Sequence, residues 1–170
     1  MVKSRSSTHQ FIYVVEDFNQ TQRDVVEMGF GSLLNLKIAL FPTRLPQWLL
    51  TNYNPKNSSL TLSDGSRQSV TEDDVAAVLG FHRGTAKIQR RKRVGTFPLY
   101  TKWKLLLRRD GVKITYGDLI NVMNECRDGG DWFKQHFVVL VSSIFIDSPQ
   151  NGYAGHSFYI IWTTYHRFIG

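Results

Sequence analysis

The sequence is poor in the features that mark secreted and membrane proteins. Cys126 is its only cysteine, so no disulfide can form within the chain, and this composition is typical of a reducing compartment. The N-terminal residues are polar and lack the apolar core of a signal peptide. The longest apolar run, residues 137–146, is far shorter than the roughly 20 residues that cross a bilayer. We therefore expect a protein that is neither secreted nor inserted in a membrane.

Motifs for catalysis and for cofactor binding are also lacking. The five histidines form no HxH or HExxH pair and no CxxC occurs, so no metal ligand is expected. No GxGxxG or GxxxxGK[ST] loop is present to hold a nucleotide. Cys126 forms no protease signature with His136 or His156, and we expect it to pack as a small apolar residue. The sequence predicts no catalytic residue and no cofactor, and hence a protein that is not an enzyme.

One stretch, residues 58–80 (SSLTLSDGSRQSVTEDDVAAVLG), carries the clearest structural signals. Leu60 and Leu62 alternate with polar residues and Asp64-Gly65 suits a tight turn, which predicts a β-hairpin near residues 59–70. Thr71 precedes three acidic residues and can cap a helix over residues 72–79. Gly80 suits the left-handed position that ends a helix.

The remaining apolar patterns are mostly helical. The residues of 131–146 are apolar almost all round, which indicates a central helix with His136 as a core histidine. Residues 34–40 alternate as in a strand but could equally be an extended connection. Helices are further predicted over residues 21–28, 43–53, 102–109 and 115–127, the last with Thr115 as its cap, and residues 11–15 are an apolar run of uncertain type. The fold class is therefore mostly α with one small β-hairpin.

The domain organisation expected from these patterns is simple. Residues 1–10 are small and polar and are expected to be a disordered arm. Residues 11–170 are expected to form a single helical domain. Residues 156–168 are rich in aromatic side chains and could begin another helix, but no cap or polar tail follows them. We therefore expect the domain to be truncated at its C-terminus.

The positive charge is concentrated in one part of the chain. Residues 83–113, called the basic segment below, contain eleven Lys or Arg and one acidic residue, Asp110, whereas the whole chain has a net charge of +7. Gly95 and Pro98 disfavour regular structure there, so residues 81–100 are predicted to be a long exposed loop within a basic region at about 81–113.

Three interpretations of the basic segment stay open. It could be a solvated loop, a signal recognised by a nuclear import factor, or a surface that contacts nucleic acid. Phe97, Tyr100 and Trp103 could stack on bases in the last case. The residues expected to make such contacts are Lys87, Arg90, Arg91, Lys92, Arg93, Lys102, Lys104, Arg108 and Arg109.

Several phrases together resemble a known family. They are residues 29–36 (GFGSLLNL), Leu45-x-x-Trp48-Leu49, residues 52–55 (NYNP), residues 72–75 (EDDV), residues 78–80 (VLG), Phe133-x-x-x-Phe137 with residues 138–140 (VVL), and residues 148–153 (SPQNGY). In this order and spacing the set, over residues 25–153, resembles the N-terminal domain of plant transposon-associated proteins. These are similar to the group labelled "aminotransferase-like, plant mobile domain" and are often joined to a ubiquitin-like-protease (SUMO protease) domain.

The resemblance implies a helical domain of a transposon-derived plant protein, and the basic segment with the lack of catalytic motifs leads us to expect a non-catalytic interaction domain. Its expected location is the nucleus, or otherwise the cytoplasm, and its expected partner is nucleic acid, an acidic nuclear protein or an import factor. Other protein partners are unknown. The alternative is an accessory N-terminal fragment of a ubiquitin-like-protease family protein whose catalytic domain is missing. The chain departs from the family after Gly80, where relatives have a proline-containing phrase, and after Tyr153, where they continue through an acidic, Trp-containing region.

Overall fold

The computed structural model of the protein describes residues 7–37, 44–80, 102–103, 105, 114–146 and 153. The described residues within 1–17 and 23–83 form a first compact unit, and those within 18–22 and 84–170 form a second. The predicted loop over residues 81–100 and the pattern over residues 156–168 lie outside the described part of the chain. The single domain expected over residues 11–170 stays a prediction.

The first helix, α1, spans Ser7–Glu16 and buries Phe11, Val14 and Val15. These positions are three and four residues apart, which places them on one helical face. The guanidinium of Arg23 donates to the carbonyls of Val15 and Glu16, each at 3.1 Å, and so satisfies groups that a helix end leaves without a partner. Residues 7–10 belong to this helix, so the disordered arm predicted over residues 1–10 is wrong for these four residues.

The second helix, α2, spans Gln20–Leu34 and does not end at Gly29 as the sequence predicts. Its backbone departs from helical geometry at Phe30 (φ −136°, ψ 24°) and then continues. Val26 and Leu33 are both buried and lie seven residues apart, on one face. Burial of that face explains why the helix continues past a glycine, which costs only about 1 kcal/mol in a helix interior. Leu34 ends α2 and residues 35–37 form no strand. Of the two alternatives for residues 34–40, the strand is therefore wrong for residues 34–37, and residues 38–40 lie outside the described part.

The third helix, α3 (Leu45–Asn52), leads directly into a three-stranded antiparallel sheet. The strands are β1 (Tyr53–Asn54), β2 (Ser59–Thr61) and β3 (Arg67–Ser69), in the order β1-β2-β3. The predicted hairpin is confirmed, with Leu60 paired to Gln68 in register. The sequence did not predict β1, which pairs Tyr53 with Leu60.

The fourth helix, α4 (Glu72–Leu79), has the predicted ends. Thr71 Oγ1 accepts from the backbone N–H of Asp74 at 3.2 Å, and the Asp74 carboxylate accepts from the backbone N–H of Thr71 at 2.8 Å. The bond from the Thr71 N–H, together with one from the Thr71 hydroxyl, holds the pKa of the Asp74 carboxyl below its usual value. Gly80 follows with φ +62°, and Ser32 Oγ donates to the Leu79 carbonyl beside it.

The second unit contains a helical hairpin of α5 (Tyr116–Glu125) and α6 (Asp131–Phe145). Thr115 and Asp118 form the predicted capping box of α5. The central position expected for α6 is confirmed, since ten of its fifteen residues are buried. The Tyr116 hydroxyl donates to the Ser143 carbonyl at 2.9 Å and joins the two helices. The buried apolar residues of this unit are Phe18, Trp103, Ile114, Tyr116, Leu119, Met123, Phe133, Phe137, Val139, Leu140, Val141 and Ile144.

A short early segment, residues 18–22, completes this unit. The Gln22 side-chain amide donates to the carbonyls of Met123 (3.0 Å) and Cys126 (3.2 Å), at the end of α5. The side-chain amide of Asn19 donates to the Arg127 carbonyl at 2.9 Å. Phe18 lies edge-on to Phe133, with ring centroids 5.2 Å apart. The described residues together confirm a mostly helical fold with one small antiparallel sheet.

Candidate functional site

The described part of the basic segment lies against α6. The backbone of Lys102, Trp103 and Leu105 is helical, as predicted for residues 102–109, and the rest of that range lies outside the described part of the chain. Trp103 is 3% exposed, whereas Lys102 and Leu105 are exposed. This part of the basic segment therefore has one buried side chain that anchors it and a cation that faces solvent.

The partner of Trp103 is His136, which is fully buried on α6. The indole N–H of Trp103 donates to Nε2 of His136 at 2.6 Å. The other ring nitrogen, Nδ1, lies 2.6 Å from the carbonyl oxygen of Trp132. An indole can only donate and a carbonyl can only accept, so the two bonds require a neutral imidazole with its proton on Nδ1.

The neutral form of His136 is also favoured by its surroundings. Burial above all, opposed by the bond to the Trp132 carbonyl and assisted by the nearby charge of Lys102, lowers the pKa of His136 to about 4. The core histidine expected from the sequence is thus confirmed, with both ring nitrogens hydrogen-bonded. Protonation at Nε2 would remove the acceptor that Trp103 uses.

Trp132, in the first turn of α6, is half-buried and contacts two of these residues. Its ring meets the His136 ring edge-on, with centroids 4.4 Å apart. The ammonium of Lys102 lies over the ring, 3.9 Å from its centroid. Such a cation–π contact is worth about 0.5–1 kcal/mol at an exposed site. Lys102, Trp103, Trp132 and His136 are called the aromatic cluster below.

The structure locates one of the nine predicted contact residues, Lys102. The other eight, Lys87, Arg90, Arg91, Lys92, Arg93, Lys104, Arg108 and Arg109, lie outside the described residues, as do the predicted stacking residues Phe97 and Tyr100. The prediction that Trp103 stacks on bases is wrong, because its ring is buried and its N–H is bonded to His136.

Sequence reasoning missed the role of Trp132. Its spacing of four residues from His136 on one helix was a usable signal, because such residues lie on the same face. The contact with Lys102 had no comparable signal, because the two residues are 30 positions apart in the chain.

Cys126, at the end of α5, is partly buried. Burial raises the pKa of its thiol, and the carboxylates of Asp128 and Glu125 raise it further. A raised pKa disfavours the thiolate that a cysteine nucleophile requires. These surroundings agree with the small packed residue expected from the sequence.

The described ranges of the chain hold no cluster of three or more His, Cys, Asp or Glu side chains placed to bind a metal ion. Among the helices of those ranges, none has both the length and the apolar character needed to cross a membrane.

Comparison with known proteins gives one finding. A family model described as "Domain of unknown function (DUF8566)" matches residues 4–166. Neither the curated proteins nor the solved structures contain a significant match to the chain.

Proposed function

The chain belongs to this family, whose description assigns no activity, and we propose that it is a non-catalytic interaction domain that contacts nucleic acid through its basic segment. The proposal covers residues 83–113 as a whole, with the aromatic cluster as the part that fixes the segment to α6. The proposal is supported by the distribution of charged residues along the chain and by the position of Lys102.

The observation that carries the proposal is the separation of charge along the chain. The basic segment holds eleven of the 21 Lys and Arg but one of the 14 Asp and Glu, so the rest of the chain has ten basic and thirteen acidic residues. Clustered cations of this kind attract phosphates and release the counterions condensed on nucleic acid. The slightly acidic remainder would repel phosphates, which favours contact through the basic segment alone.

The position of Lys102 supports this reading. Lys102 is an exposed residue, and the described residues place no carboxylate in salt-bridge contact with its ammonium. The buried Trp103 beside it is hydrogen-bonded to α6, so the backbone that carries Lys102 has a fixed position. A cation on an anchored backbone loses less conformational entropy when it binds a phosphate.

A salt titration of binding to a generic DNA duplex tests the proposal. We expect binding at about 50 mM salt that weakens steeply as salt rises, with a slope of about −0.9 for each phosphate contacted. Replacement of Arg90, Arg91, Lys92 and Arg93 by Ala should weaken binding uniformly across sequences and, if each contacts one phosphate, make the slope shallower by about 3.6.

The matched control removes four exposed cations outside the basic segment. Lys37, Arg44, Lys56 and Arg67 are all exposed in the first unit, and their replacement by Ala changes the net charge by the same amount. Binding of this variant should stay close to that of the native protein. Equal losses in the two variants, or no binding of the native protein at low salt, would contradict the proposal.

The expected nuclear location and the plant mobile-element origin stay predictions. Residues 89–93 (QRRKR) are a run of the kind that import factors recognise. Nuclear accumulation of a fluorescent fusion, lost in the same quadruple variant, would support the location. A protease domain encoded in frame downstream would instead favour the accessory-fragment alternative.

A further inference from the structure

The contact between Lys102 and Trp132 has the geometry of a covered stacking surface. The ammonium lies 3.9 Å from the ring centroid, which is the place that a stacked planar group would take. Lys102 approaches from the solvent side, since its own side chain is exposed while Trp132 is half-buried. Among the described residues, the side chain that covers this ring face is therefore that of Lys102, which is flexible and hydrated.

The other contacts of Trp132 hold its ring in place. The His136 ring packs edge-on against it, and His136 Nδ1 bonds to the Trp132 backbone carbonyl. His136 is in turn held by the N–H of the buried Trp103. The carboxylate next in the chain, Asp131, pairs with the ammonium of Lys134 at 3.4 Å. A ring fixed in this way loses little freedom when a ligand stacks on it.

A nucleotide carries two groups that could replace the contact between the Lys102 ammonium and the Trp132 ring. Its base has a flat π face that stacks on an aromatic ring, and its phosphate binds the ammonium that the base displaces. Stacking of a base stabilises at least as much as a solvent-exposed cation–π contact, so the exchange is favourable once a phosphate receives Lys102. Only an unpaired base can offer its face in this way, because the faces of duplex bases are covered by their neighbours.

We propose that Trp132 is a stacking platform for one unpaired base, uncovered when Lys102 moves from the ring to a phosphate of the bound strand. This inference rests on the proposed function and makes it more specific, since it assigns single-stranded nucleic acid as the preferred partner. Trp132 would provide the stacking contact, and His136 and Trp103 would act as positioning residues.

The test compares three probes by fluorescence anisotropy at fixed salt: a labelled single strand, a duplex with the same number of phosphates, and heparin, which has charge but no bases. We expect Trp132→Leu to weaken single-strand binding about tenfold and to leave heparin binding unchanged. Trp132→Phe keeps an aromatic face and should retain most of the affinity. Trp48→Leu, at a partly exposed tryptophan outside the basic segment, is the matched control and should change neither.

A second measurement uses the native protein and does not depend on how the variants fold. Single strands that carry 5-bromouracil are irradiated in complex with the protein, and cross-linked peptides are mapped by mass spectrometry. A cross-link at Trp132 is expected, whereas cross-links confined to residues 87–93 would overturn the platform.

The outcomes separate the two proposals. Binding of all three probes without any effect of Trp132→Leu would leave the proposed function standing and end the stacking inference. Binding of heparin alone would indicate an acidic protein partner and would contradict both. Absence of binding to every probe at low salt would contradict the proposed function itself.

Discussion

Two regions of the molecule differ in what stabilises each of them: residues 44–80 of the first unit, and the α5–α6 hairpin of the second unit. Neither α3 nor α4 has a buried residue, and Ser59 is the one buried residue in the range 44–80. In contrast, α6 buries ten of its fifteen residues. Residues 44–80 thus form regular structure with little burial, whereas the α5–α6 hairpin forms regular structure as part of an apolar core.

The elements of residues 44–80 depend on hydrogen bonds between near neighbours. The Asp64 carboxylate accepts from the backbone and the hydroxyl of Ser66, which lowers the pKa of Asp64 and closes the turn. Thr71 and Asp74 cap α4 in the same local way. In the hairpin, α5 and α6 are joined by contacts such as Tyr116 to Ser143, 27 residues apart. Local bonds define the shape of an element, whereas burial supplies most of the free energy of folding.

The sharpest test of this contrast is a pair of matched leucine truncations. Leu119 is 0% exposed in α5, and Leu50 is 85% exposed in α3. Leu119→Ala should lower the free energy of unfolding by about 3 kcal/mol, because it leaves a cavity. Leu50→Ala should change it by less than about 0.5 kcal/mol. Urea unfolding with hydrogen exchange measures both, and a similar loss in the two variants would remove the contrast.

The second test concerns pH and applies to the hairpin alone. His136 has a pKa of about 4 in the folded protein and about 6.5 when unfolded. The unfolded chain therefore binds more protons between these values, so stability is complete above about pH 6.5 and is lost as pH falls to about 4. The full loss is about 3 kcal/mol, of which about 2 kcal/mol occurs between pH 6.5 and 5.

The control for this pH effect is His136→Gln, which keeps a polar side chain that can accept from Trp103 but does not titrate. Its free energy of unfolding, measured with urea at each pH, should be nearly constant between pH 6.5 and 5, where few carboxylates titrate. A variant that keeps the slope of the native protein would show that His136 is not its source.

The third and smallest test is at the end of α4. Gly80→Ala should destabilise residues 44–80 by about 1–2 kcal/mol, because alanine is disfavoured at φ +62° and its Cβ would collide with the Ser32 side chain. Gly65→Ala, at φ +82° with open space around it, isolates the backbone cost. Ser32→Gly removes both the Oγ and the Cβ that the new side chain would meet. In that background Gly80→Ala should show only the backbone cost relative to Ser32→Gly alone, as measured by hydrogen exchange in α4. If Gly80→Ala destabilised the protein no more than Gly65→Ala does, the collision with Ser32 would make no contribution.

Features that depend on neighbours in sequence could be predicted, and features that depend on distant partners could not. The capping boxes at Thr71 and Thr115 and the left-handed Gly80 follow from residues within a few positions of one another. The continuation of α2 past Gly29 could not be foreseen, since it depends on how Leu33 is buried. Strand β1 was missed because two residues are too short for a periodic pattern.

The candidate site was predictable by charge but not by geometry. The composition of the basic segment indicated Lys102 as a contact residue, and the apolar character of α6 indicated that His136 is buried. The bond between Trp103 and His136 joins residues 33 positions apart. No local pattern shows that Trp103 is buried while Trp132 is only half-buried.

The bonds made by Asn19 and Gln22 matter for any attempt to dissect the protein by recombinant truncation. The Gln22 side chain donates to carbonyls 101 and 104 residues further along the chain, so a fragment that starts at α5 would lose a side chain that serves both of them. A single cut cannot separate the two units, because residues 18–22 belong with the later one. Supplying that short peptide in trans, or fusing it ahead of α5, would be the way to obtain the helical hairpin intact.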